Sequence, residues 1–186
     1  ESKQSAISIR DSLIKLQSQG IQSLVLDLRD NGGGLLQNAH DILDLFLSKG
    51  ILFHVHHRRS RLKTIYASSD NTLSPDLPLV ILINEGSASA TEILASTLQE
   101  HRRATLVGTT TFGKTSIQKF FGLKDGSGLV FSIAKYLTPS KLDIDQIGIQ
   151  PDIPIAMPDR AALDTNFTDP DLHDDNDPQL QEALNT

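Results

Sequence analysis

The 186-residue chain has no cysteine, no tryptophan, one methionine and two tyrosines. Lack of cysteine removes disulfides, thiolate catalysis and cysteine-bound zinc, and leaves the redox compartment open. Long apolar runs are missing too: none approaches the roughly 20 residues of a spanning helix, so no transmembrane segment is expected in this chain. No basic stretch followed by an apolar one opens it as a signal peptide would, and its first residue is Glu1 rather than Met, which reads as a fragment or a mature product. Basic excess is absent, with 17 Lys and Arg against 23 Asp and Glu and a formal net charge of −6. That balance argues against nucleic acid, which needs clustered cations to neutralise phosphates. What remains, 38% hydrophobic and 22% charged, suits one soluble domain with a real core.

Residues 5–19 set Ile9, Leu13 and Leu16 at helical spacing and stop at Gly20. The run Ser23 to Leu28 reads as a strand covered on both flanks, and it leads into Arg29-Asp30-Asn31-Gly32-Gly33-Gly34. Three adjacent glycines cost backbone entropy, so they point to a close backbone approach or a positive φ. A helix from Leu36 to Ser48 and a strand from Ile51 to His57 complete an expected βαβ unit, with Leu62 to Tyr66 pairing back onto that strand. His54 and His56 share one strand face. With no further ligand nearby in sequence, a solvated face is expected there rather than a metal site. Ala67 to Pro78 is a loop, Leu79 to Ile83 a buried strand, Ala90 to Glu100 a helix and Ala104 to Gly108 a strand. Ile117 to Leu123 and Gly128 to Tyr136 form a hairpin around Asp125-Gly126, and Gly148 to Pro154 is extended. Residues 1–157 thus make one catalytic-sized domain. The acidic stretch 158–186 reads as a solvated, flexible tail with a short helix near residues 160–163.

Chemistry concentrates between Asn84 and Gln118. The small-residue run Gly86-Ser87-Ala88-Ser89-Ala90 sits where a buried strand turns into a helix, so Ser89 lies beside backbone amides that have no intrahelical partner. Lys114 follows the next strand and sits beside Phe112 and Gly113 on an apolar-flanked loop. A serine hydroxyl needs a base, and a lysine sheltered from water can serve as one. Residues 108–115 also match the phosphate-loop pattern GxxxxGK[ST]. That pattern requires a helix starting at the Lys-Thr pair, whereas the β-branched and aromatic residues after Lys114 call for a strand.

Four blocks in order, LVLDLRDNGGGLL, VILINEGSASATEI, LVGTTTFGKTSIQ and YLTPS with GIQPDI, resemble the carboxyl-terminal processing peptidases (tail-specific proteases), serine-lysine peptidases of the S41 type. The resemblance implies an α/β fold with a ClpP/crotonase-like core, βαβ units and a C-terminal β-hairpin. It implies an endopeptidase that cleaves proteins near their C-termini, with Ser89 as nucleophile, Lys114 as general base and Gln118 as a third member. Ala90 and Gly33 would supply oxyanion amides, with Glu92 and Gly34 in supporting places, and neither cofactor nor metal is implied. Expected partners are the C-terminal region of a protein substrate and a PDZ domain in the full-length protein. By the same resemblance the expected compartment is extracytoplasmic, either periplasm or thylakoid lumen. Three positions depart from the family pattern: Gly32 replaces a usual proline, and Thr91 and Thr115 stand where serine and glycine are common. Both threonines are expected to lie outside the chemistry. A crotonase-like acyl-CoA enzyme and a non-catalytic ligand-binding module of the same fold are the competing readings.

Overall fold

The computed structural model describes residues 4–58, 61–68, 72–157 and 177–186. Along the chain run α1 (Gln4–Ser18), β1 (Leu24–Asp27), α2 (Leu36–Phe46), β2 (Ile51–His57), β3 (Lys63–Tyr66), β4 (Leu79–Ile83), α3 (Ala90–Glu100), β5 (Thr105–Gly108), β6 (Ser116–Gly122), β7 (Gly128–Leu137), β8 (Ile153–Pro154) and α4 (Pro178–Asn185). A parallel sheet has the order β1-β4-β5-β8 and an antiparallel sheet the order β3-β2-β7-β6.

β4 explains the layering. All five of its residues are buried, and alternation sends Leu79, Ile81 and Ile83 into the main core and Val80 and Leu82 into a second cluster on the other face. Ile81, Leu82 and Ile83 are fully buried, each worth about 1.5–3 kcal/mol of transfer free energy. The main core gathers α1, α2, α3 and the inner residues of the antiparallel sheet, among them Phe53 and Tyr136, while the second cluster is closed by Leu180 and Ala183 of α4. Helix α3 ends in a Schellman pattern, with Arg103 N–H donating to Leu98 O and Arg102 N–H to Gln99 O, both at 2.8 Å, and Arg102 left-handed at φ 54°.

The hairpin and the β4–α3–β5 unit are as the sequence predicts, and β6 begins at Ser116, two residues after Lys114. A strand in that place removes the phosphate-loop alternative. Four expectations are corrected. β1, α2 and β2 are not a βαβ unit, because β2 joins the antiparallel sheet while β1 pairs with β4. Helix α2 stops at Phe46 with Leu47 already extended, and Gly50, left-handed beside the His101 ring, serves the turn into β2 instead. His54 is buried, with its ring nitrogens bonded to Thr64 Oγ1 (3.0 Å) and Pro139 O (3.1 Å), so that strand face is solvated only at its His56 end. The expected tail ends in a packed helix: Asp177 caps α4 by accepting from Leu180 N–H at 2.9 Å, and Gln179 is fully buried. The short helix expected near residues 160–163 lies outside the described residues.

Candidate active site

Three loops converge at the C-terminal ends of adjacent parallel strands, where open α/β sheets build their sites: one after β1, one after β4 and one after β5. The loop after β4 is set by Asn84 and Ser87. Asn84 Oδ1 accepts from Gly86 N–H (3.0 Å) and, across the sheet, from Asp30 N–H (2.8 Å); Ser87 Oγ donates to Leu28 O (2.7 Å). This folds the chain tightly enough to place Ser89 at φ 58°, ψ −118°. A serine that only capped a helix would take the extended region. Ser89 instead holds a sparsely populated conformation costing about 1–3 kcal/mol, which persists only where neighbours enforce it. A strained serine on a strand-to-helix turn is the geometry of a nucleophile elbow.

The enforcing group is Glu92. Its carboxylate is fully buried at 0% exposure, and among the described residues no cation forms an ion pair with it. Oε2 accepts from Ser89 N–H and Lys114 N–H, both at 2.8 Å; Oε1 accepts from Gly113 N–H and Thr111 Oγ1, both at 2.6 Å. Three amides, one hydroxyl and the positive end of α3 carry the charge. One side chain therefore fixes the backbones of Ser89 and Lys114 against a shared oxygen. Phe112 N–H donates to Ser87 O at 3.0 Å, a second stitch between the same loops. Tyr136 adds a third from β7, its hydroxyl donating to Ser89 O at 3.3 Å and its amide to Thr115 O at 3.0 Å. Burial, with the nearby charges of Glu92, Asp143 and Asp145, raises the Tyr136 pKa and keeps its phenol protonated.

Gly33, at φ 86°, lies against the elbow: a Cβ there would stand 2.5 Å from Ala88 O, 2.8 Å from Ala90 N and 3.1 Å from Ser89 Cβ. The close approach expected of the glycines is thus specific to this one. Gly32 and Gly34 face open space, so nothing in their surroundings demands glycine. Asn31 ties the turn down, its carbonyl accepting from Ala88 N–H and its Oδ1 from Gly33 N–H and Thr91 Oγ1, each at 3.0 Å. Thr91 therefore helps hold the glycine turn through Asn31. Before the turn, Asp30 is left-handed at φ 56°, and Arg29 reaches both Asp27 and Asp177. Burial opposes the charge on Arg29, but hydrogen bonds and charges from those two carboxylates outweigh it and raise its pKa.

The residues expected from sequence do not all converge. Ser89, Glu92, Ala90, Gly33 and the Lys114 backbone meet as described, and both Ser89 and Lys114 are partly buried. Ala90 N–H, the first amide of α3, takes no acceptor among the described residues, whereas Gly33 N–H is already given to Asn31. Gln118 is exposed on β6 and makes no side-chain hydrogen bond with Ser89 or Lys114 among the described residues. Phe112 is 63% exposed, while Thr111, Gly113 and Thr115 on the same loop are buried and Lys114 is half-buried. Asn31, Asn84, Thr111 and Tyr136 carried no local signal, since their importance lies in partners that are distant in sequence.

The model of Peptidase family S41 matches residues 2–155. The chain belongs to peptidase family S41. The carboxyl-terminal-processing protease of Synechocystis is 43% identical over 150 residues, covering 81% of this chain and 35% of that protein. The chloroplastic carboxyl-terminal-processing peptidase 2 of Arabidopsis thaliana is 39% identical over 149 residues, 80% of this chain and 29% of that one. A solved photosystem II D1 C-terminal processing protease superposes with a TM-score of 0.76 at 34% identity, covering 84% of this chain and 41% of that chain. The S41 fold is the ClpP/crotonase-like α/β fold expected from the sequence. This chain spans about a third of the length of the curated relatives it matches.

Proposed function

We propose that this S41 chain carries the catalytic site of a serine endopeptidase that cleaves proteins near their C-termini. One observation carries the reading: a single buried carboxylate, Glu92, binds the amides of both Ser89 and Lys114, with Ser89 held in a strained conformation. A binding protein gains nothing from that strain. In the proposed reaction Ser89 Oγ attacks the scissile carbonyl carbon and its proton passes to Lys114 Nζ. Ala90 N–H, at the helix terminus, donates to the tetrahedral oxyanion, and Gly33 N–H joins it by exchanging the Asn31 oxygen for the substrate's. The C–N bond breaks as Lys114 returns the proton to the leaving amine. Water, deprotonated by Lys114, then attacks the acyl-serine ester, and as the C–O bond breaks Lys114 returns that proton to Ser89 Oγ and the new carboxyl terminus is released. No cofactor takes part, and Gln118 would enter only by turning toward Lys114 when substrate binds.

The names of the relatives support a polypeptide C-terminus as substrate. Their greater length leaves room for a PDZ domain to deliver it, and their chloroplastic and bacterial sources support an extracytoplasmic site of action, periplasm or thylakoid lumen. A fluorophosphonate probe tests the chemistry. The wild-type chain should be labelled on Ser89, Ser89→Ala not at all, and Lys114→Arg as slowly as Lys114→Ala, because a guanidinium keeps its proton. Rapid labelling of folded Lys114→Arg would end the serine-lysine mechanism. An unlabelled wild type would favour the non-catalytic binding module.

A further inference from the structure

Arg29 stands where β1 leaves the parallel sheet for the glycine turn. Its backbone passes to left-handed Asp30, while its side chain goes to the sheet face that α4 covers. There Nε donates to Asp27 Oδ1 and Oδ2 (3.0 and 3.1 Å) and Nη2 to Asp27 Oδ2 (2.7 Å). Nη1 donates to Asp177 Oδ2 (2.6 Å) and Gln179 Oε1 (3.2 Å). Asp177 does two jobs, since its other oxygen caps α4, and Gln179 is anchored in turn by its amide donating to Ile155 O at 2.7 Å. The Arg29 and Asp177 side chains are only 16% and 10% exposed, so water screens this pair far less than a surface one.

A left-handed non-glycine residue survives only when its surroundings over-determine it. Asp30 is fixed ahead by Asn84 and behind by Arg29, Asn31 next binds Ala88, Thr91 and Gly33 N–H, and Gly33 lies against the Ser89 elbow with no room for even a Cβ. Slack at Arg29 would therefore be felt at Gly33. We infer that Arg29 is a positioning residue for the hydrolysis proposed above, and that the C-terminal helix α4, through Asp177, is the clamp that holds it. The inference rests on the serine-peptidase reading: among the described residues α4 forms no hydrogen bond or ion pair with Ser89 or Lys114, and it acts through the turn that aims the second oxyanion donor.

The test uses the 186-residue chain with a short peptide substrate and a matching peptide boronate. Ser89 Oγ bonds to boron, its proton passes to Lys114, and the tetrahedral boron places an oxygen where the oxyanion forms. Asp177→Ala should lower kcat and weaken boronate affinity together, by at least about tenfold, since misplacing one oxyanion donor acts on the transition state alone. KM should stay within about twofold to threefold, and Asp177→Glu should recover most of the loss. If Asp177→Ala does not fold, Arg29→Lys serves the same purpose, keeping the charge but unable to reach Asp27 and Asp177 at once. Wild-type kcat and boronate affinity in a folded variant would overturn the clamp, as would a loss that merely tracks the unfolded fraction. A wild-type chain that forms no adduct would overturn the serine reading and the clamp with it, whereas a normal wild-type adduct confines any failure to the clamp.

Discussion

Glu92→Gln keeps the shape of the side chain and removes one acceptor oxygen and the charge. With the amide oxygen toward Ser89 and Lys114, Thr111 Oγ1 can reverse and accept from the new NH₂, since it donates to Glu92 and accepts from Ile149 N–H at 2.7 Å with a lone pair to spare. Gly113 N–H has no such option and faces a donor. An orphaned buried amide costs about 1–3 kcal/mol, and each surviving bond loses about 1 kcal/mol in becoming neutral. Relief from burying a charge offsets part of this. The net should be about 2–4 kcal/mol, a large share of the roughly 5–15 kcal/mol that holds a domain together. In urea denaturation, with m near 2 kcal/mol/M, the midpoint should fall by about 1–2 M at unchanged m. Probe labelling of Ser89 in the folded fraction should slow as well, because the backbones of Ser89 and Lys114 both hang on that carboxylate. A folded Glu92→Gln variant with wild-type midpoint and labelling rate would refute the reasoning.

Ser89→Gly should abolish labelling yet exceed Ser89→Ala in stability by about 1 kcal/mol or more, because glycine adopts φ 58° without strain; equal midpoints would remove the strain argument. Gly33→Ala should destabilise the chain and slow labelling about a hundredfold or more, since its Cβ meets backbone atoms of the elbow. Gly34→Ala should keep or slightly raise stability, because its Cβ meets nothing and the unfolded chain loses entropy. The raised Tyr136 pKa means that below about pH 10 the phenol is neutral folded or unfolded, while above it only the unfolded chain ionises. Stability should therefore fall as pH rises beyond 10, by about 1.4 kcal/mol per pH unit. Denaturation of Tyr136→Phe between pH 9 and 11 should lack that slope.

Strand β4 and helix α3 were legible because their signals are local: five consecutive apolar residues, a small-residue turn, then a capped apolar helix. The positions of Ser89 at the strand-to-helix turn and of Lys114 on the loop before β6 were legible for the same reason. The partner of β2 was not, because an alternating strand fits a parallel or an antiparallel neighbour equally well, and long-range pairing decides. His54 misled in the same way, since its burial comes from Pro139, which lies 85 residues on. Helix α4 was hidden by acidic composition, although Asp177 followed by Pro178 is a helix-start signal that could have found it. Glu92 was read as a supporting acid, but its four donors come from loops up to 22 residues away, and no spacing rule reports them.

Thr111 shows how late the site can close during folding. Its hydroxyl bridges Glu92 and Ile149 N–H, its amide donates to Ile149 O, and Gly113 and Gly148 pack backbone against backbone. The segment around Gly148 is thus the back wall of the lysine loop, although it follows Lys114 by more than thirty residues. Contacts of that separation carry a loop-closure cost before they give any return. A chain emerging from its N-terminus presents Ser89 and Lys114 well before it presents Ile149, and until then the carboxylate that binds both has an unsupported neighbour. The emerging chain therefore holds Ser89 and Lys114 for a time without the backing that fixes their shared carboxylate, and the site takes its final shape only when the segment around Ile149 docks.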